Sequence, residues 1–437
     1  MSLIKLRLLH CSVAGAIIAG VVTGAPGMAR AWTYHYIHRF KGGPSDGASP
    51  EGGLVADSQG RLYGTTYAGG PSGVGVVFRL DPPTSGLSTW TEEILHTFSG
   101  ADGAYPTGDL VLDSGGSLYG TTLQGGGTMV GSEGVVFKLA NAPGWPIQIL
   151  HIFKRADLSG GGLPSSLTFG SDGLLYGTSR LINFVAGQEG TVFSVSPLGD
   201  SVEFKIVHQF GVGTDGASPS GLTQVPAGYF NGFVGATSEG GPYGLVFGGY
   251  GTVFAQQIFA GGAGPETVLY DFPGPPNLWT PSAQPIAGTG ALNKGFYGVG
   301  ANGGTFNQGG AYSLTPDGAH GLTETVIYNF GAQPNDPVSG GGEPLLQISP
   351  SGTLLGSSVG GGSLMGGTLF ELDPPTQAGG SWSEKVDVNF DRTNPVEGWG
   401  PIGALLRLNG QYYGALQYGA IRGYKYTGYG AIYVASP

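Results

Sequence analysis

The sequence predicts an all-β protein, a seven-bladed β-propeller with four antiparallel strands in each blade. Three observations predict it. One short phrase returns seven times at a nearly constant step, and each interval holds four short apolar runs. The chain also begins and ends out of phase with that unit, as a ring closed on itself requires.

The phrase is LYGTT at residues 62–66 and 118–122 and LYGTS at 175–179. Weaker copies are FVGAT (233–237), FYGVG (296–300), LLGSS (354–358) and YYGAL (412–416). Their glycines, Gly64, Gly120, Gly177, Gly235, Gly298, Gly356 and Gly414, are separated by 56, 57, 58, 63, 58 and 58 residues. A period of that length with strand-like content is the signature of a propeller or solenoid. The second unit shows the content: PTGDLVLD (106–113), LYGTT, GVVFKL (134–139) and IQILHIF (147–153). Each run is short, rich in β-branched and aromatic residues, and bounded by Gly, Pro, Asp or Ser, and none carries a long helical period. We name these strands A to D, with A innermost.

The A–B connections DSQG (57–60), DSGG (113–116), SDG (171–173) and SPSG (349–352) are tight-turn sequences. Gly there accepts a positive φ, and Asp or Ser bonds the local backbone. Strand C carries an aromatic at Phe78, Phe137, Phe193, Phe254, Tyr312, Phe370 and Tyr433. Strand D ends at Phe40, Phe98, Phe153, Phe210, Phe272, Phe330 and Phe390. Rings held in register seven times read as core between blades, each worth roughly 1.5–3 kcal/mol when buried. The blades are expected at about residues 50–98, 106–153, 164–210, 219–272, 285–330, 344–390 and 401–437. Residues 34–40 are a strand D that precedes any strand A, and 431–435 are a strand C with no D after it. Pairing the two closes the ring and hides an open sheet edge.

Residues 1–31 read as a secretory signal. Lys5 and Arg7 form a basic start, residues 8–25 are mostly apolar, and Ala29-Arg30-Ala31 fits a cleavage site. Thr23, Pro26 and the glycines favour cleavage over retention as a membrane anchor. Cys11, the one cysteine of the chain, lies in this segment, and His10 before it does not suit a lipoprotein site. The remaining 406 residues form a single domain without disulfides, held by packing. They carry 15 Lys and Arg against 29 Asp and Glu, a net charge of −14. That balance argues against nucleic acid or an anionic membrane as partner. Glycine, 87 of 437 residues, far exceeds ordinary usage of about 7%, but lacks the three-residue period of collagen.

These phrases resemble the GloVer repeat of secreted bacterial proteins, a unit near LYGTT, then a Gly-Gly loop, then GTVF. The likeness covers the mature chain, strongly in the first four units and more loosely in the last three. It implies a propeller-like fold, and in many members a C-terminal surface anchor. After the last strand this chain shows neither an apolar tail nor a basic end, so anchoring is not expected. The resemblance brings no catalytic residues. The arrangement is also similar to NHL and quinoprotein propellers, but no residue set argues for a quinone, and no cofactor is expected.

Candidate site residues lie where D–A and B–C loops share one face. DGASP (46–50), DGAYP (102–106) and DGASP (215–219) place Asp46, Asp102 and Asp215 in D–A loops. These carboxylates suit a cation or sugar hydroxyls, but Asp-Gly is also an ordinary turn, and the spacing matches no calcium loop. Trp279, Trp399 and Tyr105 lie in D–A loops as stacking candidates for sugar rings, with Asp102, Asp391 or Glu397 as acceptors. Trp90, Trp145 and Trp382 read as structural. His38, His96, His151 and His208 recur two residues before the strand-D phenylalanine. Being on different blades they cannot converge on one ion, so they read as packing residues and no metal is expected. Glu51, Asp109 and Glu343 lie near inner strands, where a glycosidase pair would need a spacing of about 5–9.5 Å. No G-x-S-x-G elbow between a strand and a helix, no H-E-x-x-H and no P-loop is expected. The expectation is a secreted, periplasmic or surface-exposed monomer that binds a carbohydrate or cell-envelope polymer without catalysis. A polysaccharide hydrolase or lyase on the same scaffold, and a purely structural surface protein, are the alternatives.

Overall fold

In the computed structural model the described residues are 32–437, apart from 85–88, 128–131, 155–161, 181–188, 199–203, 212–214, 227–229, 243–248, 260–261, 293–294, 318–320, 343–344, 348, 378, 394–397, 420, 423–424 and 427–428. They form the seven-bladed propeller that the period predicts. Blade 4 shows the plan in full: strands A to D are Ala217–Gln224, Gly232–Glu239, Thr252–Phe259 and Gly262–Asp271, each antiparallel to the next. Blade 7 comprises Trp399–Leu408, Gln411–Tyr418 and Ala431–Ser436, and is completed by Thr33–Arg39 from the other end of the sequence. Tyr34 faces Ala435 and Arg39 faces Ala431, so the closing strand pairs as expected. Near the axis strand A is broken into short pieces in blades 1, 5 and 6.

The core consists of seven hydrophobic clusters, and the repeated phrase explains how they form. In every blade the phrase glycine lies opposite the strand-C aromatic: Gly64 and Phe78, Gly120 and Phe137, Gly177 and Phe193, Gly235 and Phe254, Gly298 and Tyr312, Gly356 and Phe370, Gly414 and Tyr433. The ring lies over the bare glycine, where a Cβ at Gly120 would sit 2.6 Å from Phe137 Cζ. Its other side receives the strand-D phenylalanine of the preceding blade. The seven pairs, from Phe40–Phe78 to Phe390–Tyr433, have centroids 5.0–5.4 Å apart and tilted or edge-on rings. Edge-to-face contacts at such distances add to the burial energy. Trp90, Trp145 and Trp382 reach across to Tyr413, Tyr63 and Tyr297 of adjacent blades, the structural use expected of them. The tyrosine of the phrase is anchored in its own blade: Tyr63, Tyr119 and Tyr176 donate hydrogen bonds to Asp57, Asp113 and Asp172 of the A–B turns. In those turns Gly60, Gly116 and Gly173 take φ of 77°, 82° and 82°.

Strand D carries one further device. In all seven blades its register on strand C slips by a residue just before the residue two places ahead of the phenylalanine, which is His or Tyr in six blades and Val388 in blade 6. The bulge re-aims that side chain. His96 Nε2 meets Asp102 Oδ2 at 2.9 Å, His208 meets Asp215 at 2.9 Å, and Tyr328 donates to Asp336 at 2.8 Å. These aspartates also accept backbone N–H bonds from Ser99, Gly211 and Gln333, so each ties its D–A loop to the strand before it. At the start of the next strand D a glutamate completes several of these clusters. Burial, followed by Asp215 and Asp271, pushes Glu266 up to about 8. Burial, followed by Asp336 and Asp387, pushes Glu384 up to about 7.

Two outcomes are expected. Gly120→Ala forces the Phe137 ring off its seat and against Phe98, costing about 1–3 kcal/mol as overpacking does, read as a lower urea midpoint with unchanged slope. The second concerns pH. The folded chain keeps protons on Glu266 and Glu384 that the unfolded chain releases near the ordinary carboxylate value, so stability falls as pH rises through the folded values. Buried His38 and His96 are held low and act in the opposite sense, but above about pH 7.5 they are neutral in both states. The melting temperature should therefore decline from about pH 7.5 to 9, and less steeply in E266Q. Equal slopes for E266Q and the parent would overturn the assignment.

Candidate functional site

The strand-A phrase P-x-G-x-L delivers one residue from each of six blades to the axis. The residue after the proline is Glu51, Thr107, Ser165, Ser220, Ser282 and Ile402 in blades 1 to 5 and 7, and all six line one cavity of about 390 Å³. The corresponding part of blade 6, with Glu343, lies outside the described residues, as does Glu397. The taper of the wedges leaves backbone against backbone here. A Cβ at Gly52 would sit 2.7 Å from Gly108 O of blade 2, and one at Gly108 would sit 3.2 Å from Ser166 Cα of blade 3. Glycine at these positions is a packing requirement.

A second layer comes from the residue just after the repeated phrase, at the exit of strand B. In blades 1, 2, 3 and 7 this is Tyr67, Leu123, Arg180 and Gln417. Leu123 and Arg180 line the cavity, and Gln417 Nε2 donates to Glu51 Oε1 at 3.0 Å. Arg180 is exposed, yet the surrounding protein lowers its proton affinity, opposed by Glu239. Burial pushes the Glu51 carboxyl up, with Gln417 opposing. Asp109 accepts a hydrogen bond from Gly53 N–H of blade 1 and donates its own N–H to Ser166 Oγ of blade 3 at 3.1 Å. Burial pushes its carboxyl up as well. Both acids are thus biased toward the protonated form in a cavity that also holds hydroxyls, an amide (Gln284) and one guanidinium.

The candidates from sequence divide into two groups. Glu51 and Asp109 meet in the cavity. Tyr105 stands beside it: its ring stacks on Tyr67 at 4.7 Å and 26°, and Tyr67 feels the Glu51 charge. The other described candidates are engaged elsewhere. Asp102 and Asp215 hold the loop clasps, and Asp46 is only 6% exposed at the corresponding place in blade 1. Trp399 is not an open platform but 8% exposed, with Tyr418 stacked on it at 4.4 Å and Arg392 over its ring. Trp279 is half-buried in strand Leu278–Pro281, edge-on to Tyr250. The four histidines stay on separate blades, but His38 meets Asp46 and Glu92. Sequence reasoning passed over Arg180, Gln417 and the axial serines. They are the variable letters beside the constant ones, and aligning the seven copies singles them out.

Solved structures with a similar course of chain include a luciferin-regenerating enzyme (10% identity, 76% of this chain and 91% of that one, TM-score 0.43). Others are an α-L-arabinanase from Penicillium chrysogenum complexed with arabinobiose (15%, 74% and 91%, 0.40) and a PQQ-bound aldose sugar dehydrogenase from Streptomyces coelicolor (11%, 93% and 98%, 0.41). No curated protein matches the sequence. The model of the Gloeobacter/Verrucomicrobia repeat matches residues 27–247, half of the chain, and with it the GloVer phrases find their place: the protein belongs to that repeat family.

Proposed function

We propose that the protein is a binding scaffold, acting outside the cytoplasm, whose axial cavity takes the end or a short stretch of a carbohydrate or cell-envelope polymer. The observation that carries this reading is the convergence of one strand-A position from six blades on a single polar cavity. Its volume of about 390 Å³ falls in the range of about 300–1,000 Å³ usual for small-ligand sites. Carboxyl, hydroxyl, amide and guanidinium groups offer the mixed donors and acceptors that sugar hydroxyls need, and the Tyr67–Tyr105 stack gives an aromatic surface at its side. The signal-like residues 1–31 support a destination beyond the cytoplasmic membrane.

A second reading is supported by Glu51 and Asp109, two carboxyls raised by burial in one cavity, as an acid catalyst for glycoside cleavage would need. The test is a glycan array followed by calorimetry on residues 32–437. Binding should weaken about tenfold or more in R180A and in Y105A, the loss of a charge-assisted hydrogen bond or an aromatic contact being worth about 1.4 kcal/mol or more. Absence of glycan binding, or binding indifferent to both substitutions, would overturn the proposal. Reducing-end release that disappears in E51Q, D109N or E343Q would replace it with the hydrolase.

A further inference from the structure

The seam where the ring closes brings three ligand types together. His38 lies on the closing strand of blade 7, Asp46 in the loop that follows it, and Glu92 at the start of strand D of blade 1. Their imidazole nitrogen and carboxylate oxygens all lie within 4.8 Å of one another. His38 Nε2 and Glu92 Oε1 are 3.5 Å apart, and both atoms are buried without a hydrogen-bond partner. Asp46 is fixed from behind: Lys41 N–H donates to Oδ2 at 2.7 Å and Gly47 N–H to Oδ1 at 2.6 Å. His38 is oriented by its edge-to-face contact with Phe40 at 4.6 Å.

The other blades serve as an internal control. At the equivalent places His96 and His208 close onto their aspartates at 2.9 Å, which uses the imidazole Nε2. The residue matching Glu92 is Ile147 beside His96 and Glu266 beside His208, where the imidazole already closes onto Asp215, and beside Asp336 the histidine is replaced by Tyr328. Among the described residues, the seam is the one cluster of three such groups that converges on a common point.

We propose that His38, Asp46 and Glu92 form a divalent-cation site that fastens the closing strand to blade 1. One nitrogen and two carboxylate oxygens suit Zn²⁺, and Mn²⁺ next. In a tetrahedral site two donors each about 2.1 Å from the ion stand about 3.4 Å apart, so His38 Nε2 and Glu92 Oε1 at 3.5 Å already hold that spacing, and atoms at the 4.8 Å limit need to close by a little over an ångström. An ion there would tie the closing strand to strand D of blade 1, while backbone pairing with Ala431–Ser436 holds that same strand in blade 7.

The experiment is titration of tag-free protein, stripped with chelator, with ZnCl₂ or MnCl₂ by calorimetry and by thermal melting. The parent should bind one ion and melt at higher temperature with it. H38F, which keeps a ring on Phe40 but removes the nitrogen, and E92Q should each lose at least about tenfold in affinity and most of the thermal shift. D215N, at the sister clasp, should behave as the parent. No uptake of either metal by the folded parent, or uptake equal in H38F and E92Q, would overturn the site.

Discussion

A glycine opposite an aromatic ring, with a second ring from the neighbouring blade set against it, is the contact on which this propeller depends. Because the glycine has no side chain, the strand-C ring lies flat against its own sheet instead of standing away from it. That posture leaves its edge and outer face open to the strand-D phenylalanine of the blade before. The contact therefore joins two blades, not two strands of one blade, and its sevenfold return sets both the size of each wedge and the number needed to close the circle. A blade alone would leave half of every such pair in water, so no blade has a complete core of its own.

The axis obeys a second constraint. Seven wedges meeting at a point leave no room for side chains on the facing backbones, which is why Gly52 and Gly108 stand where they do. At the axis the side chains that differ from copy to copy are those that face the open channel, among them the residue after the strand-A proline and the residue after the repeated phrase. The scaffold and the chemistry occupy different letters of the same repeat. Glu51, Asp109 and Arg180 are the charged residues in a lining that is otherwise neutral, and together they give the cavity its charge.

Much of this architecture was legible from the sequence, because it rests on repetition. The phrase glycine, the strand-C ring and the terminal phenylalanine of strand D each recur in register, and the half-blades at the two ends implied the closure. What escaped were features that repetition alone does not encode. The strand-D bulge shifts His96 and His208 by one place, so alternation along the strand gives no sign that they would reach Asp102 and Asp215. Those aspartates looked like turn formers or ligand groups, and they are loop clasps. Trp399 looked exposed by its place between strands, but strand A begins at that residue, which carries it under Tyr418 and Arg392. The axial residues were missed for the opposite reason, since a reading tuned to constancy discards the positions that change.

The pairing of Thr33 with Ser436 joins residues about 400 positions apart, and this has a temporal consequence. Strand Thr33–Arg39, made first, must wait with its hydrogen-bonding edge bare until nearly the whole polypeptide has been produced. Bringing such distant segments together costs loop-closure entropy and slows the final step. During that interval the first strand is a sticky ribbon in search of any partner. Its outward residues, Thr33, His35 and Arg39, are polar and make it a poor seed for clumping while it waits, and the late arrival of strand C turns a vulnerable tail into the latch of the finished ring.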